Sequence, residues 1–404
     1  MSQQSSTNNS DSSLADAKQI IPLHEPCFMG KEWEYVKDCL DSRWVSSVGG
    51  YVTEFEKRIA EYTDSRFAVA TVNGTAALHT ALLVAEIQSG DEVIAPTLSF
   101  IAPINAAKYV GASPVFMDCD SHLNIDPEKT VEFCEKECVF DGKYLINRKT
   151  NAKIKAILVV HVFGHPVNIE PLMTLAEKYK LILIEDAAES LGSSYTKEKY
   201  ANKFTGTVGH IGCYSFNGNK IITTGGGGMI LTNNDAYAKK ARYLTTQAKD
   251  DPENFIHNEV GYNYRLTSIQ AALGCAQLEQ LEHFIDIKRR NFDIYHKRLS
   301  KIERIRLVEE PAYAKSNYWL YTLKLDRSQD VEKRNTLLKE LKNEGVQSRP
   351  LWELNHRQKP YSNCQTYKIE NAVILHRTCI NLPSSPSLNE NQIQHICDVI
   401  ERSI

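Results

Sequence analysis

Short apolar runs that alternate with helical patterns are the feature that most constrains the fold of this chain. The apolar runs occupy residues 67–70, 92–95, 114–117, 154–160 and 181–185. Helical periodicity separates several of them, at residues 75–85, 101–110 and 169–179. Several runs lack polar residues at alternate positions, which is typical of strands buried on both faces. This repetition predicts an α/β fold with a mostly parallel sheet and helices on both of its faces.

Further strands are predicted at residues 211–216 and 229–232, and further helices at 30–40 and 52–62. A second, smaller α+β domain is predicted from an alternating strand at 318–325 and helices at 331–343 and 391–400. A long helix over 268–299 is predicted to join the two domains, and the basic insertion 140–153 is predicted to be a hairpin or a loop. We expect a flexible polar tail (1–20), a large α/β domain (21–280) and a small C-terminal α+β domain (281–404).

Composition and charge exclude several classes of protein. The 404 residues are 42% hydrophobic and 24% charged, which is ordinary for a globular chain of two domains. A formal net charge of -3 gives no general attraction to nucleic acid or to an anionic membrane. The N-terminus lacks an apolar secretory segment, so we expect a cytoplasmic protein without membrane contact. The ten scattered cysteines are expected to be free thiols, and no motif predicts a metal site.

One lysine stands in a context suited to covalent chemistry. The segment SFNGNKIITTGGGGMI (215–230) places Lys220 after a predicted strand and an Asn–Gly turn, with four glycines just beyond it. A lysine used in Schiff-base chemistry must be held rigidly and partly desolvated, so that its amine can lose a proton. Glycines let the backbone approach a flat ring and its phosphate closely. The alternative is a surface lysine beside a glycine loop.

An acidic pair ends a predicted strand in LILIEDAAES (181–190). Asp186 is thereby predicted at the carboxyl end of a parallel strand, the edge at which open α/β sheets bind ligands. A buried carboxylate there is costly unless a cation meets it. A protonated pyridine nitrogen is such a cation, and the pair makes the ring an electron sink. The alternative, an aspartate that caps a helix N-terminus, is favoured when this segment is taken alone.

A third segment, VNGTAALHTALL (72–83), places Gly74 and Thr75 at a strand-to-helix junction. Free backbone N–H groups at the start of a helix bind phosphate well. The pattern is shorter than a Walker loop and lacks its lysine, so it is not a P-loop. The alternative is an ordinary capped helix start.

These three segments, in this order, resemble the fold-type I enzymes that use pyridoxal 5′-phosphate (PLP). From residue 21 onward the chain resembles, more narrowly, the sugar-nucleotide aminotransferases of the DegT/StrS family. The pieces that carry the resemblance are WVSSVGGYVTEFE (44–56), NGTAALHTAL (73–82), GASPVFMDCD (111–120), EDAAESLGS (185–193), SFNGNK and GGGGM (215–229), and GYNYRL and IQAALG (261–274). The resemblance implies a PLP-dependent transaminase with a large, mostly parallel α/β domain and a smaller C-terminal domain.

The resemblance also implies roles for single residues. Lys220 is expected to carry PLP through a Schiff base and to move a proton between two carbons, and Asp186 to pair with the ring nitrogen. Gly74, Thr75 and Ser215 are expected to hold the phosphate.

Four further residues take cofactor-binding roles by the same resemblance. Phe100 lies where the family places an aromatic ring stacked on the cofactor. Glu189 lies near the cofactor's hydroxyl, where many relatives have Gln or His, and it marks the perosamine and legionaminic-type branches; a plain surface glutamate is the alternative. Asn263 matches a residue that reaches the phosphate from the neighbouring subunit, and Arg265 is a weaker candidate there. These two assignments imply at least a homodimer with shared active sites.

The opening IPLHEPCFMGKEW and the segment RWVSSVGGYV resemble the branch that aminates C4 of UDP-2-acetamido-2,6-dideoxy-4-keto-hexose for bacterial surface glycans such as legionaminic acid, usually with glutamate as amino donor. The rival within the family is GDP-perosamine synthesis from GDP-4-keto-6-deoxymannose. A sugar dehydratase is disfavoured because such relatives replace the lysine with His. A PLP-binding regulator is disfavoured because no basic DNA-binding module is present.

Candidates for substrate contacts are less specific. The stretches 24–26 and 44–47 are candidates for the sugar pocket, although Trp44 is favoured as a core anchor. Arg349, in GVQSRPLWELNH, is a candidate cation for the donor carboxylate or the nucleotide phosphates, with a solvated surface arginine as the alternative.

Overall fold

The computed structural model describes residues 20–326 and 331–404, so the predicted tail lies outside it except for Ile20. The helices are α1 (Glu32–Asp41), α2 (Gly50–Thr63), α3 (Gly74–Val84), α4 (Ala102–Tyr109), α5 (Pro127–Lys136), α6 (Glu170–Tyr179), α7 (Asp235–Thr245), α8 (Ser268–Leu278), α9 (Leu281–Leu299), α10 (Val331–Asn343), α11 (Asn371–Thr378) and α12 (Glu390–Ser403). The strands are β1 (Phe67–Thr71), β2 (Glu92–Pro96), β3 (Ser113–Met117), β4 (Cys138–Phe140), β5 (Leu145–Asn147), β6 (Lys153–Val160), β7 (Ile182–Asp186), β8 (Ser194–Tyr195), β9 (Ile211–Ser215), β10 (Gly228–Thr232), β11 (Ile305–Leu307), β12 (Ala314–Lys315), β13 (Tyr321–Leu325), β14 (Arg349–Pro350), β15 (Thr366–Tyr367) and β16 (Cys379–Leu382).

Ten of the described strands form the main sheet, whose spatial order is β1, β10, β9, β7, β6, β2, β3 and β15. In this spatial order, each neighbouring pair from β9 through β7, β6, β2 and β3 to β15 is parallel. Strand β10 is antiparallel to both of its neighbours, β1 and β9. The mostly parallel sheet predicted from the sequence is therefore confirmed. The remaining two strands, β4 and β5, form a hairpin beside the start of β6, which places the basic insertion 140–153 in a hairpin.

Alternate residues of the central strands pack into two different hydrophobic clusters, one on each face of the sheet. Ala68 and Ala70 of β1 belong to one cluster, whereas Val69 belongs to the other. The face that carries Val69 packs against α3, and the opposite face against α8. Burial on both faces explains why these strands lack polar alternation. The ten cysteines are free thiols.

A second sheet of four antiparallel strands, in the order β11, β13, β16 and β14, lies in the C-terminal part of the chain. Its hydrophobic cluster also takes residues from α9, α10 and α12. The strand predicted over 318–325 begins at Tyr321, because Tyr318 adopts a left-handed backbone conformation with φ 48°. One C-terminal segment, β15, returns to the main sheet and pairs with β3.

The long helix predicted over 268–299 was wrong, since the structure has two helices, α8 and α9, that meet at Glu279 and Gln280. The Glu279 carboxylate accepts hydrogen bonds from Tyr35, at 2.7 Å, and from Arg58, at 2.8 Å. These bonds tie the end of α8 to α1 and α2. Neither glycine nor proline stands at the break, so no local residue signals that the helix ends there.

Within residues 20–326 and 331–404, no helix is both long and apolar enough to cross a lipid bilayer.

Candidate active site

Five strands end at one edge of the main sheet, and the residues that follow them line a single cavity. Because β1 and β9 are each antiparallel to β10, both run in the direction of β7, β6 and β2. The cavity at their carboxyl ends has a volume of about 320 Å³. Seven of the predicted site residues line it, namely Gly74, Thr75, Phe100, Asp186, Glu189, Ser215 and Lys220.

Lys220 is fixed by a turn that follows β9. Its backbone N–H donates to the carbonyl of Asn217, at 2.9 Å, as the Asn–Gly sequence predicts. Its side chain is only 12% exposed, and Nζ lies 3.5 Å from Oε1 of Glu189. The same Nζ lies 4.2 Å from the ring centroid of Trp319, whose indole N–H donates to the Asn219 carbonyl at 2.7 Å. The amine of Lys220 is therefore mostly buried between the Glu189 carboxylate and the Trp319 ring, and the surface alternative is wrong.

Asp186 is the last residue of β7 and is buried, with 5% of its surface exposed. No helix begins after it; Oδ1 accepts a hydrogen bond from the N–H of Ala188, at 3.1 Å, in a turn. The helix-capping alternative for Asp186 is therefore wrong. Burial, and secondly the negative charge of Glu189, raise the pKa of Asp186 to about 7.

Glu189 is also buried, which excludes the surface alternative. Its Oε2 accepts the backbone N–H of Phe163 at 2.9 Å, while Oε1 faces Lys220. Burial raises the pKa of Glu189 above its ordinary value, and the positive charge of Lys220 opposes that shift. Two buried carboxylates thus share one lysine, and a second cation placed between them would favour their ionised forms.

The start of α3 also lines the cavity. The side chain of Asn73 caps this helix by accepting the N–H of Ala76 at 2.8 Å, so the sequence here is indeed a capped helix start. The N–H groups of Gly74 and Thr75 precede the first intrahelical bond and are available to a ligand. A Cβ at position 74 would lie 2.8 Å from the Cβ of Ser215, so only glycine allows this close approach.

Sequence analysis missed two aromatic residues of the cavity wall, Trp319 and Trp352. The Trp352 ring packs against Phe163, with centroids 4.6 Å apart, and against Phe100 at 6.1 Å. Phe100 itself is 51% exposed. Both tryptophans come from the C-terminal part of the chain, and no local pattern distinguishes them from core aromatics.

Asn263 and Arg265 do not line this cavity in the same chain. They line another cavity of about 380 Å³, together with residues 47–49, 53, 246, 247 and 249. Arg265 forms an ion pair with the buried Glu56, at 2.8 Å. Trp44 is 58% exposed, so the expectation that it anchors the core was wrong.

In residues 20–326 and 331–404, no group of three or more His, Cys, Asp or Glu side chains is arranged to hold a metal ion.

A strand-end cavity with a lysine, a buried aspartate and a helix N-terminus is the arrangement expected of a PLP-dependent aminotransferase. The DegT/DnrJ/EryC1/StrS aminotransferase family matches residues 26–401. The chain is 39% identical to GDP-perosamine synthase of Escherichia coli O157:H7, over 95% of this chain and 98% of that protein. It is 34% identical to "Putative pyridoxal phosphate-dependent aminotransferase EpsN" of Bacillus subtilis (strain 168), over 94% of this chain and 95% of that protein. A DegT DnrJ EryC1 StrS aminotransferase from Brucella abortus has a crystal structure that matches with a TM-score of 0.83 at 26% identity, over 92% and 95% of the two chains.

The chain therefore belongs to the DegT/DnrJ/EryC1/StrS aminotransferase family, and it is a PLP-dependent sugar aminotransferase. The cavity fits this cofactor on its own geometry. Asp186 is a buried acid that can accept a hydrogen bond from a cationic ring nitrogen. The N–H groups that begin α3, which lines the same cavity, suit a phosphate.

Proposed function

We propose that the enzyme transfers an amino group from glutamate to C4 of a nucleotide-linked 4-keto-6-deoxy sugar. Sequence analysis placed a UDP-linked sugar first and a GDP-linked sugar second. The similarity to GDP-perosamine synthase, at 39% identity over nearly both full lengths, supports the GDP-linked sugar as the first substrate to test. The observation that supports transamination over dehydration is the presence of Lys220, enclosed beside Glu189, at the position where sugar dehydratases have His.

PLP, when bound, supplies an electron-poor ring that stabilises negative charge on the carbon next to the transferred nitrogen. In the proposed arrangement, the carboxylate of Asp186 keeps the ring nitrogen protonated. The N–H groups of Gly74 and Thr75 and the hydroxyl of Ser215 hold the phosphate, and Phe100 lies against the ring. All of these residues line the same cavity, which supports this set of roles.

Lys220 is the proposed carrier of the mobile proton. With PLP bound, its Nζ would accept the proton that the α-carbon of the amino donor loses and would hold it for return, so Lys220 would act as base and then as acid. Glu189, 3.5 Å from Nζ, stabilises the protonated amine between the two transfers. Trp319 covers the same amine at 4.2 Å and keeps water from it.

We further propose that two chains share their active sites. Asn263 is exposed and lines a cavity apart from Lys220 in its own chain, which leaves its side chain available to a neighbouring subunit. Arg265 lines the same cavity but is held by Glu56, so it is the weaker candidate. The product is proposed to serve bacterial surface polysaccharide synthesis, with the enzyme in the cytoplasm.

The test begins with the absorption spectrum of the purified protein, before and after adding glutamate without sugar. Loss of the visible band of the lysine-linked cofactor is expected. Matched GDP-, UDP- and dTDP-linked 4-keto-6-deoxy sugars are then supplied with glutamate, and the products are weighed by mass spectrometry. Amination of the GDP-linked sugar alone supports the proposal. Amination of the UDP-linked sugar alone would overturn the choice of nucleotide, and a 3-deoxy product would overturn transamination.

A further inference from the structure

A second cavity adjoins the one that contains Lys220. It has a volume of about 420 Å³ and shares Asn219, Trp319 and Trp352 with the first. Its remaining polar lining comes from His24, Arg349 and Asn381. The roles proposed so far use neither this space nor these three residues.

His24 has a neutral imidazole with no protein partner in the part of the chain that the structure describes. Both ring nitrogens are buried and make no hydrogen bond there. Burial, and then the positive charges of Lys288 and Lys220, hold the pKa of His24 well below its ordinary value. Leaving buried polar atoms unpaired costs about 1–3 kcal/mol, and because His24 lines this cavity, a ligand in the cavity is a candidate partner for its ring.

The backbone around His24 is fixed to the C-terminal part of the chain. The N–H of Ile21 donates to the Gly345 carbonyl at 2.9 Å, and the N–H of Gln347 donates to the Ile21 carbonyl at 2.9 Å. The Leu23 carbonyl accepts the N–H of Ser384 at 2.9 Å. The imidazole is therefore held in place on a rigid segment, which a binding residue requires.

Arg349 supplies a positive charge at this cavity. It is exposed, and its guanidinium donates to the carbonyl of its own neighbour, Ser348, at 2.9 Å. Within residues 20–326 and 331–404 the guanidinium has no carboxylate partner within 4.0 Å, whereas Arg289 and Arg298 each form such a pair. Pairing of β14 with β16 sets Arg349 opposite Asn381, so both residues lie on the same rigid sheet.

The lining of this cavity matches a carboxylate more closely than a diphosphate. Arg349 is the single charged side chain among its described lining residues. A guanidinium binds a carboxylate through two parallel N–H···O bonds, and a neutral imidazole can add a third. The walls formed by Trp319, Trp352 and Leu351 are apolar and suit the methylene chain of an amino acid.

We propose that this second cavity binds a carboxylate of the amino-acid donor, with Arg349 and His24 as its ligands. The inference rests on the proposed transamination from glutamate. The donor then spans the two cavities, with its amine beside Lys220 and its carboxylate beyond Trp319. The keto sugar enters after the donor's carbon skeleton has left, so the two substrates need not share the guanidinium.

The test measures the glutamate half-reaction without sugar in Arg349→Gln, Arg349→Lys and His24→Phe variants. The glutamate concentration that half-converts the visible band is expected to rise roughly 10- to 100-fold in Arg349→Gln, the range for a lost charged hydrogen bond. A smaller rise is expected in Arg349→Lys, because lysine keeps the positive charge but cannot donate two parallel N–H···O bonds to one carboxylate. Arg357→Gln is the matched control, since Arg357 pairs with Glu353 at 3.6 Å and does not line the cavity. The starting absorption band reports that the cofactor site is intact in each variant.

An unchanged glutamate requirement in Arg349→Gln would overturn the inference. If the KM for the keto sugar were raised in the same variant, the cavity would instead be assigned to the nucleotide sugar. The KM for the sugar at saturating glutamate is expected to stay constant. If the wild-type band does not respond to glutamate, the proposed donor is wrong. The same variants are then compared with whichever amino acid does react, which keeps the two failures distinguishable.

Discussion

Removing the charge of Asp186 is expected to stabilise the cofactor-free protein while weakening its complex with PLP. The pKa of Asp186 rises from 3.8 to about 7, chiefly because of burial. A shift of about 3 pKa units at 1.36 kcal/mol each means that the ionised carboxylate destabilises the cofactor-free fold by about 4 kcal/mol. Asp186→Asn removes that cost and keeps the shape of the side chain.

The sign of the pH dependence follows from the raised pKa. The folded state binds the proton more tightly than the unfolded state, so this contribution to stability is fully present below pH 3.8 and is lost as the pH rises through about 7. At pH 8 the cofactor-free Asp186→Asn variant should therefore exceed the wild type in stability. At an unfolding entropy of about 2.1 cal/mol/K per residue, 4 kcal/mol corresponds to about 5 °C in Tm for this chain.

The assay is thermal unfolding of cofactor-free wild type, Asp186→Asn and Asp120→Asn at pH 5 and pH 8, repeated with PLP. Asp120 is a matched control, because burial also raises its pKa to about 7 but it does not line the cavity. Both variants should lose part of the wild-type pH dependence. PLP should stabilise Asp186→Asn less than it stabilises the wild type, by about 3–5 kcal/mol, because the protonated ring nitrogen would be buried without its carboxylate partner. The stabilisation of Asp120→Asn by PLP should be unchanged.

Two results would refute this reasoning. If cofactor-free Asp186→Asn keeps the full wild-type difference between pH 5 and pH 8, Asp186 is not the group that titrates. If its gain from PLP equals that of Asp120→Asn, and turnover is near normal, another group holds the ring nitrogen.

Three further variants test the site. Lys220→Ala should abolish both turnover and the visible absorption band without changing the far-ultraviolet circular dichroism, and retained turnover would exclude this lysine as the nucleophile. Gly74→Ala should cost about 1–3 kcal/mol of stability and weaken PLP binding, because its Cβ would lie 2.8 Å from the Cβ of Ser215. Gly50→Ala, whose Cβ meets open space and which does not line the cavity, is the control, and equal PLP affinities in the two variants would contradict the prediction. Asn263→Ala should release PLP faster on dialysis if subunits share the site, and an unchanged rate of loss would count against sharing.

The sequence predicted the main sheet because its strands are buried on both faces. An unbroken apolar run such as 156–160 has few other structural solutions between helical segments. The break between α8 and α9 could not be predicted in this way, because it depends on hydrogen bonds from α1 and α2 to Glu279. The same limit applies to Tyr318, whose left-handed backbone shortens β13 without a local sequence cue.

The candidate site was predictable where its residues follow strand ends directly. Asp186 and Ser215 end β7 and β9, and Gly74 begins the helix after β1, so topology alone brings them to one edge. Trp319 and Trp352 were not predictable, because they reach the cavity through the packing of the C-terminal part of the chain against the main sheet.

The cavity contains two kinds of charge, and we expect both to act on the cofactor. Asp186 and Glu189 together carry up to two negative charges against the single charge of Lys220. The start of α3 lines the same cavity and supplies the positive end of its dipole and the free N–H groups of Gly74 and Thr75. A molecule with both a cationic ring nitrogen and an anionic phosphate would satisfy the two groups of residues at once. An orientation that set the phosphate against the two buried carboxylates would be disfavoured, so these charges would favour one orientation of the ring relative to Lys220.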